Sequence, residues 1–399
     1  MAEAAASPGH ASTLPTVAHF LREFAGPTET FVVNQIDGLA RYHGFVMCRS
    51  RLAGAPMPFG GKPLEHVRAF VEESPNSRRA NLVYRRLRLA LRTERRWYRE
   101  AVMGEGAVVV HAHYGTDAGY LWPAIQATGR PLVVSWYGYD VSSFPRAFGG
   151  AGTLWLRSVL KGARLHLAMT PTMADALAAL GAPRDRIRVH HHGIDLREWS
   201  SAAAVSGSGR GRCRLLMVAA FDTEKKGHDD LVRALALVAQ TVPDVTLRLV
   251  GAGPLLDDTK RLAAELGVAS RITFLGYVPH GNALLREYEE ADVFVHPSRT
   301  GSNGAVEGLP STILEAMACG LPVVSTRHAG IPLAVTRDVG ALVAERDPVG
   351  LAREIAGLLQ NGSRARIMGC AGRARIAADF DLKHQVARLE DIYDEVRRG

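Results

Sequence analysis

The 399-residue chain has few cysteines, no long apolar run and only 7% aromatic residues. Cys48, Cys213, Cys319 and Cys370 are scattered with no CxxC pair, which excludes a disulfide framework or a thiolate metal site and fits reduced cytosolic thiols. No uninterrupted hydrophobic run approaches the roughly 18–20 residues of a membrane-spanning helix. The opening MAEAAASPGHASTLP lacks the basic and apolar regions of a signal peptide and reads as a short tail. A cytoplasmic protein is the expectation. Nothing in the sequence builds an aromatic platform beside its basic residues, so nucleic acid is not an expected partner.

Charge is present but concentrated. Most of the formal excess of +8 lies in RRANLVYRRLRLALRTERRWYRE (78–100), with nine arginines and two glutamates. Arg85, Arg88, Arg92, Arg95 and Arg99 recur at three- and four-residue steps and make one helical stripe. That stripe is either the solvated face of a domain helix or a surface that meets anionic lipid at the inner membrane face.

Short apolar strands alternate with amphipathic helices throughout, the pattern of parallel doubly wound sheets. In the first half, PTVAHFL (15–21), GAVVVHAH (106–113), PLVVSWYG (131–138), LHLAMT (165–170) and IRVHHHGID (187–195) read as strands, with a helix starting near Thr28. WSSAAAVSGSGRGR (199–212) has no apolar period and reads as a linker. CRLLMVAAF, VTLRLVGAGP, RITFLGYV, ADVFVHPS, PVVST and GALVA supply a second strand series, followed by helices to the end. Two α/β domains therefore face each other, and ligands in such folds bind beyond the carboxyl ends of the strands.

Two motifs carry chemistry. EGLPSTILE places Glu307 and Glu315 around a helix start at about 310, where Pro310 suits the first helical position. Free N–H groups and the helix dipole make that start an anion site. The two acids then flank it as acceptors for hydroxyl groups, a sugar on one side and a ribose on the other. A plain helix cap is the alternative. EKKGHDD (224–230) opens a neighbouring βα loop, where a lysine can neutralise a diphosphate. GAGPLL (251–256) lacks the third glycine and the later acid of the dinucleotide fingerprint, so it reads as a tight turn.

The succession EKKG, LVGAGP, RITFLGYV, ADVFVHPS and EGLPSTILEAMACGLPVVST resembles glycosyltransferase family 4, retaining enzymes of the GT-B fold with two doubly wound Rossmann-like domains facing a central cleft. TETFVVNQI, HAHYGTDAG and GYDVS resemble the branch that makes exopolysaccharides of the colanic acid and amylovoran type. The resemblance implies an acceptor-binding domain over 1–196, a nucleotide-sugar donor domain over 197–378, and a terminal helix over 379–399 packing back toward the first. It implies that Lys226 binds the donor diphosphate and Glu307 the donor sugar near the reacting carbon. Glu315 would bind ribose, Gly308, Leu309, Ser311 and Thr312 the phosphates, and Tyr277 and Val278 the base, with Gly251 and Gly253 along the same wall. Thr30, His113 and Tyr137 would face the acceptor. No cofactor and no metal are implied, and the donor would be UDP- or GDP-linked.

Two positions depart from that family. An arginine expected before the motif lysine is replaced at Ala220 and Phe221, and Tyr137 stands where a histidine is frequent. Arg22 or Arg299 is the expected substitute cation. The acceptor is a lipid-linked or polysaccharide precursor; alternatives are a soluble aglycone or cyclitol, or a GT-B protein that binds nucleotide or glycan without turnover.

Overall fold

The computed structural model describes residues 14–24, 29–52, 64, 66–74, 90–199 and 213–399. The linker over 200–212, the helix start at Thr28 and the arginines of the basic stretch from Arg78 to Arg88 lie outside those residues.

Two parallel sheets organise the chain. The first joins β1 (Thr16–Phe24), β2 (His43–Arg51), β3 (Val67–Ala69), β4 (Ala107–His113), β5 (Leu132–Trp136), β6 (Leu165–Ala168) and β7 (Ile187–Val189) in the order β3-β2-β1-β4-β5-β6-β7. The second joins β8 (Arg214–Val218), β9 (Thr246–Val250), β10 (Ile272–Gly276), β11 (Val293–His296), β12 (Val323–Thr326) and β13 (Gly340–Val343) in the order β10-β9-β8-β11-β12-β13. Strand order reverses between β1 and β4, and again between β8 and β11. A crevice opens at each reversal, at the carboxyl ends of the strands.

The helices that matter below are α1 (Thr30–Asp37), α2 (Arg92–Gly104), α3 (Gly115–Ile125), α4 (Ala151–Gly162), α5 (His228–Val238), α6 (Ser311–Ala318) and α7 (Leu382–Arg398). Strand β1 shows why both faces of the first sheet are covered. Ala18 and Phe20 point into a core with Tyr98, Leu121 and Leu156 of α2, α3 and α4. Val17 points the other way, to Leu389 and Tyr393 of α7. Burial on both faces makes the strands nearly continuous in apolar residues, and β4 (AVVVHAH) is buried everywhere except Val108.

Strand β2 was not expected from the sequence. HGFVMCRSR has one short apolar run and ends in charge, yet Arg49 is buried within 3.6 Å of the buried Glu94. An ion pair hidden between distant segments leaves no local pattern.

Helix α7 returns from the second domain to the first. Its buried residues Leu382, Val386, Leu389, Tyr393 and Val396 fall at helical spacing, and Asp381 caps its start by accepting from the Lys383 amide. Glu390 accepts from the Ala40 amide at 2.7 Å, and Tyr42 donates to Asp394 at 2.6 Å. Ile194 bridges Asp381, so the two chain crossings between the sheets lie side by side.

Candidate active site

The crevices of the two sheets share a cavity of about 710 Å³. Thr30 and Tyr137 line it from the first sheet; Lys226, Gly251, Tyr277, Val278, the segment 307–312 and Glu315 line it from the second. The two walls also touch. A side chain at Gly308 would sit 2.5 Å from the Tyr137 carbonyl oxygen, so the Glu307 loop reaches the first domain only with glycine there.

Four expected residues lie elsewhere. The guanidinium of Arg299 is buried against Asp229 at 2.9 Å and Asp230 at 2.8 Å, and its amide donates to the Lys225 carbonyl at 2.8 Å. It braces the lysine loop and does not line the cavity; two carboxylates at the start of α5 claim its charge. Gly253 is needed because a side chain there would strike the Phe221 carbonyl at 2.5 Å, which accounts for its glycine without a ligand. His113 is fully buried behind Tyr137, sharing a 2.8 Å hydrogen bond with the phenol. Arg22, the other candidate cation, pairs with Asp117 at 3.3 Å and is absent from the cavity lining.

The cation beside Lys226 is Lys225. Their ammonium groups lie 2.6 and 3.4 Å from the same Glu307 oxygen, and both line the cavity with Ala220. Gly227, at φ 74°, ends their turn where a side chain would meet the Pro297 carbonyl at 2.1 Å. Burial alone would raise the Glu307 pKa, but Lys226 and Lys225 outweigh it and hold the carboxyl at about 2. Burial raises Glu315 to about 7, against a 2.7 Å hydrogen bond donated by Tyr288. Two glutamates that look equivalent in EGLPSTILE are thus one anion and one acid that titrates near neutrality.

This difference has a stability consequence. Between the ordinary value of 4.5 and about 7, folded Glu315 keeps a proton that the unfolded chain releases, so stability falls as pH rises through that window. Glu198, pushed to about 8 by burial and then by Asp195, adds to the decline. In E315Q the first contribution disappears. Its stability relative to wild type is expected to be higher at pH 8 than at pH 5 by on the order of 3 kcal/mol. Denaturant titration at both pH values checks this, and an unchanged difference contradicts it.

Supporting residues went unforeseen. His328 accepts the Glu307 amide at 3.0 Å through Nε2 and donates through Nδ1 to Glu345 at 2.6 Å, which fixes the neutral tautomer and the direction of the loop. Asp140 gathers the amides of Gly115, Tyr137 and Gly138 at 2.8, 3.2 and 3.1 Å and holds the opposing wall. The doubled lysine of EKKG was visible in the sequence; His328 was not, because it acts through backbone 21 residues away.

Two groups in the wall have no protein partner. The Thr312 hydroxyl oxygen, in the first turn of α6, and both ring nitrogens of His192 are enclosed without a hydrogen bond. Enclosed polar groups left unpaired cost about 1–3 kcal/mol each, a cost that a ligand or water offering polar atoms to them would remove. Below the cavity, His19, His111 and His113 bring ring nitrogens within 4.8 Å of one another. Most of these nitrogens are engaged: His111 with Tyr393 and Ser135, His113 with Tyr137 and with His19. Only His19 Nε2 has no partner, too little to bind a metal ion without breaking that chain.

Residues 28–198 match the family model described as Glycosyltransferase Family 4, and residues 212–361 the one described as Glycosyl transferases group 1. A putative colanic acid biosynthesis glycosyltransferase of Escherichia coli K12 is 30% identical over 288 residues, covering 71% of this chain and 69% of that protein. The chain belongs to glycosyltransferase family 4. Within the family, a GDP-mannose-dependent phosphatidylinositol monomannoside mannosyltransferase of Mycolicibacterium smegmatis is 38% identical over 170 residues. That match covers 42% of this chain and 44% of the mannosyltransferase, less than half of each. The fold is that of GT-B glycosyltransferases: Anabaena HepE, crystallised with UDP, superposes with a TM-score of 0.74 at 18% identity, covering 96% of this chain and 100% of HepE. Among the described residues of this family member, no helix is long and apolar enough to cross a membrane.

Proposed function

We propose that the chain is a retaining hexosyltransferase that moves a sugar from a nucleoside-diphosphate sugar to a hydroxyl of a lipid-linked or polysaccharide precursor. The observation that carries this reading is the pair of lysines converging on Glu307 in the inter-domain cavity, beside the start of α6. An ammonium pair and a helix N-terminus suit a diphosphate, and they stabilise it most as it leaves with full charge. Lys226 and Lys225 hold the diphosphate, with the Gly308–Leu309 turn and the amides of Ser311 and Thr312. Entry of the diphosphate frees Glu307 from the lysines to accept hydroxyl hydrogens of the donor sugar. Glu315, hydrogen-bonded by Tyr288, takes the ribose, and Tyr277 and Val278 border the base.

The first domain presents the acceptor. Thr30 and Tyr137 face the cavity, and His113 orients the Tyr137 phenol. Burial drives the Tyr137 pKa far up, so it works as a neutral hydrogen-bonding group. The donor phosphate takes the acceptor proton on the face from which it departs, which keeps the anomeric configuration; lysines and helix dipole do the work of a metal. The membrane-proximal part of this reading is peripheral contact through the basic helix, of which Arg92–Glu100 are described.

A thermal-shift screen of nucleoside diphosphates and nucleotide sugars tests the donor class. Stabilisation by uridine or guanosine diphosphates, and not by the monophosphates alone, is expected; no response to any of them contradicts the reading.

A further inference from the structure

We propose that the outer face of α2, α3 and α4 is a docking surface for an anionic lipid bilayer, with Phe148 and Leu154 as its inserted side chains. The basic helix supplies only one edge of this face. Phe148, in the turn before α4, is 84% exposed, and Leu154, at the start of α4, is 68% exposed. Phe148 has φ 55°, followed by Gly149 and Gly150 at 67° and 95°. A bulky residue in that left-handed region is strained, and here no buried contact compensates for it. The fold gives no reason for a phenylalanine at this tip. An apolar medium outside the protein does.

The charge of the surroundings fits one kind of medium. From Val141 to Ala174 there is no aspartate or glutamate, while Arg146, Arg157 and Lys161 are exposed. On the far side, Arg92, Arg95, Arg96 and Arg99 gather around Pro123 and Ala127 at the end of α3. Of the acids of α2, Glu94 is buried and Glu100 pairs with Arg96 at 2.6 Å, which leaves Arg92, Arg95 and Arg99 as the net charge of this edge. In the seam between α3 and α4, half-buried Trp122 lies against Gly162, and Trp155 donates to the Thr116 carbonyl at 3.4 Å. Cations of one sign, indoles at the seam and two separate apolar tips make an interfacial surface. A protein interface would centre on a buried core depleted of charge, and two isolated apolar tips among cations do not supply one.

The surface ends at the active-site cavity. Tyr139, half exposed, lines that cavity and packs on Phe144 four residues before Phe148, with ring centres 5.8 Å apart. A bilayer held by Phe148 and Leu154 would therefore lie at the mouth of the acceptor side. This purpose rests on the proposed function, whereas the bilayer contact itself does not.

The test is vesicle flotation of the full chain. Phosphatidylcholine vesicles doped with phosphatidylglycerol should bind at least about tenfold more strongly than phosphatidylcholine alone, given about fivefold per engaged cation. F148S/L154S should weaken that binding about tenfold or more, and R157E/K161E likewise. All are surface changes, so melting temperature and nucleoside diphosphate affinity should match wild type. Equal binding to both vesicle types overturns the proposal. So does undiminished binding by F148S/L154S, including the case where only R92E/R96E abolishes it. If wild type floats normally but binds no nucleotide, the proposed function fails and the docking surface stands.

Discussion

Replacing Lys226 with alanine is expected to cut nucleoside diphosphate release from the donor about a thousandfold. An ammonium about 4 Å from one phosphate charge, at an effective dielectric near 20, contributes about 4 kcal/mol before desolvation. If that attraction is felt mainly as the diphosphate leaves, each 1.36 kcal/mol is about tenfold in rate. Lys225 lies farther from Glu307, 3.4 against 2.6 Å, and K225A should cost less, about ten- to a hundredfold. Ala220 presents only a methyl to the cavity, and no arginine is among the described residues that line it. Steady-state release of nucleoside diphosphate measures both variants. K226A turnover within about threefold of wild type would refute the role given to the lysine.

Glu307→Gln should separate binding from catalysis. The carboxylate is the counter-ion of both lysines, with a pKa held at about 2. An incoming diphosphate must displace it. The amide removes that competitor, so nucleoside diphosphate affinity should rise, by about tenfold. Donor turnover should fall about a hundred- to a thousandfold, because the amide cannot accept two hydroxyl hydrogens with the strength of a carboxylate as charge develops on the sugar. Calorimetric titration with UDP and GDP, set beside kcat and KM, shows the split. Affinity and turnover falling together would mean that Glu307 organises the loop and does not touch the donor.

Much of this site was legible because its parts are local. EGLPSTILE announces a helix start by proline and small residues, and EKKG announces a turn with two cations. Both come after apolar runs that could only be buried strands. What escaped the sequence involves pairings across distance. Nothing in the order of residues says that Asp229 and Asp230 claim Arg299, or that Glu94 hides Arg49 inside β2. A sequence names cations and acids but does not say which reach each other after folding. The same limit hid the unequal protonation of Glu307 and Glu315. One has two lysines within 3.4 Å and the other has a tyrosine hydroxyl, although they lie only eight positions apart. The C-terminal helix was expected against the first domain by resemblance, and its physical basis is the apolar spacing from Leu382 to Val396.

The most direct test of the account is a double-mutant cycle in nucleoside diphosphate affinity over Lys226 and Glu307. If the carboxylate and the diphosphate compete for the same ammonium, the gain of E307Q should shrink in the K226A background to the part that Lys225 still supplies, a coupling on the order of 1 kcal/mol. Strictly additive effects would show that Lys226 and Glu307 do not share the donor phosphate site, and the central claim would fall.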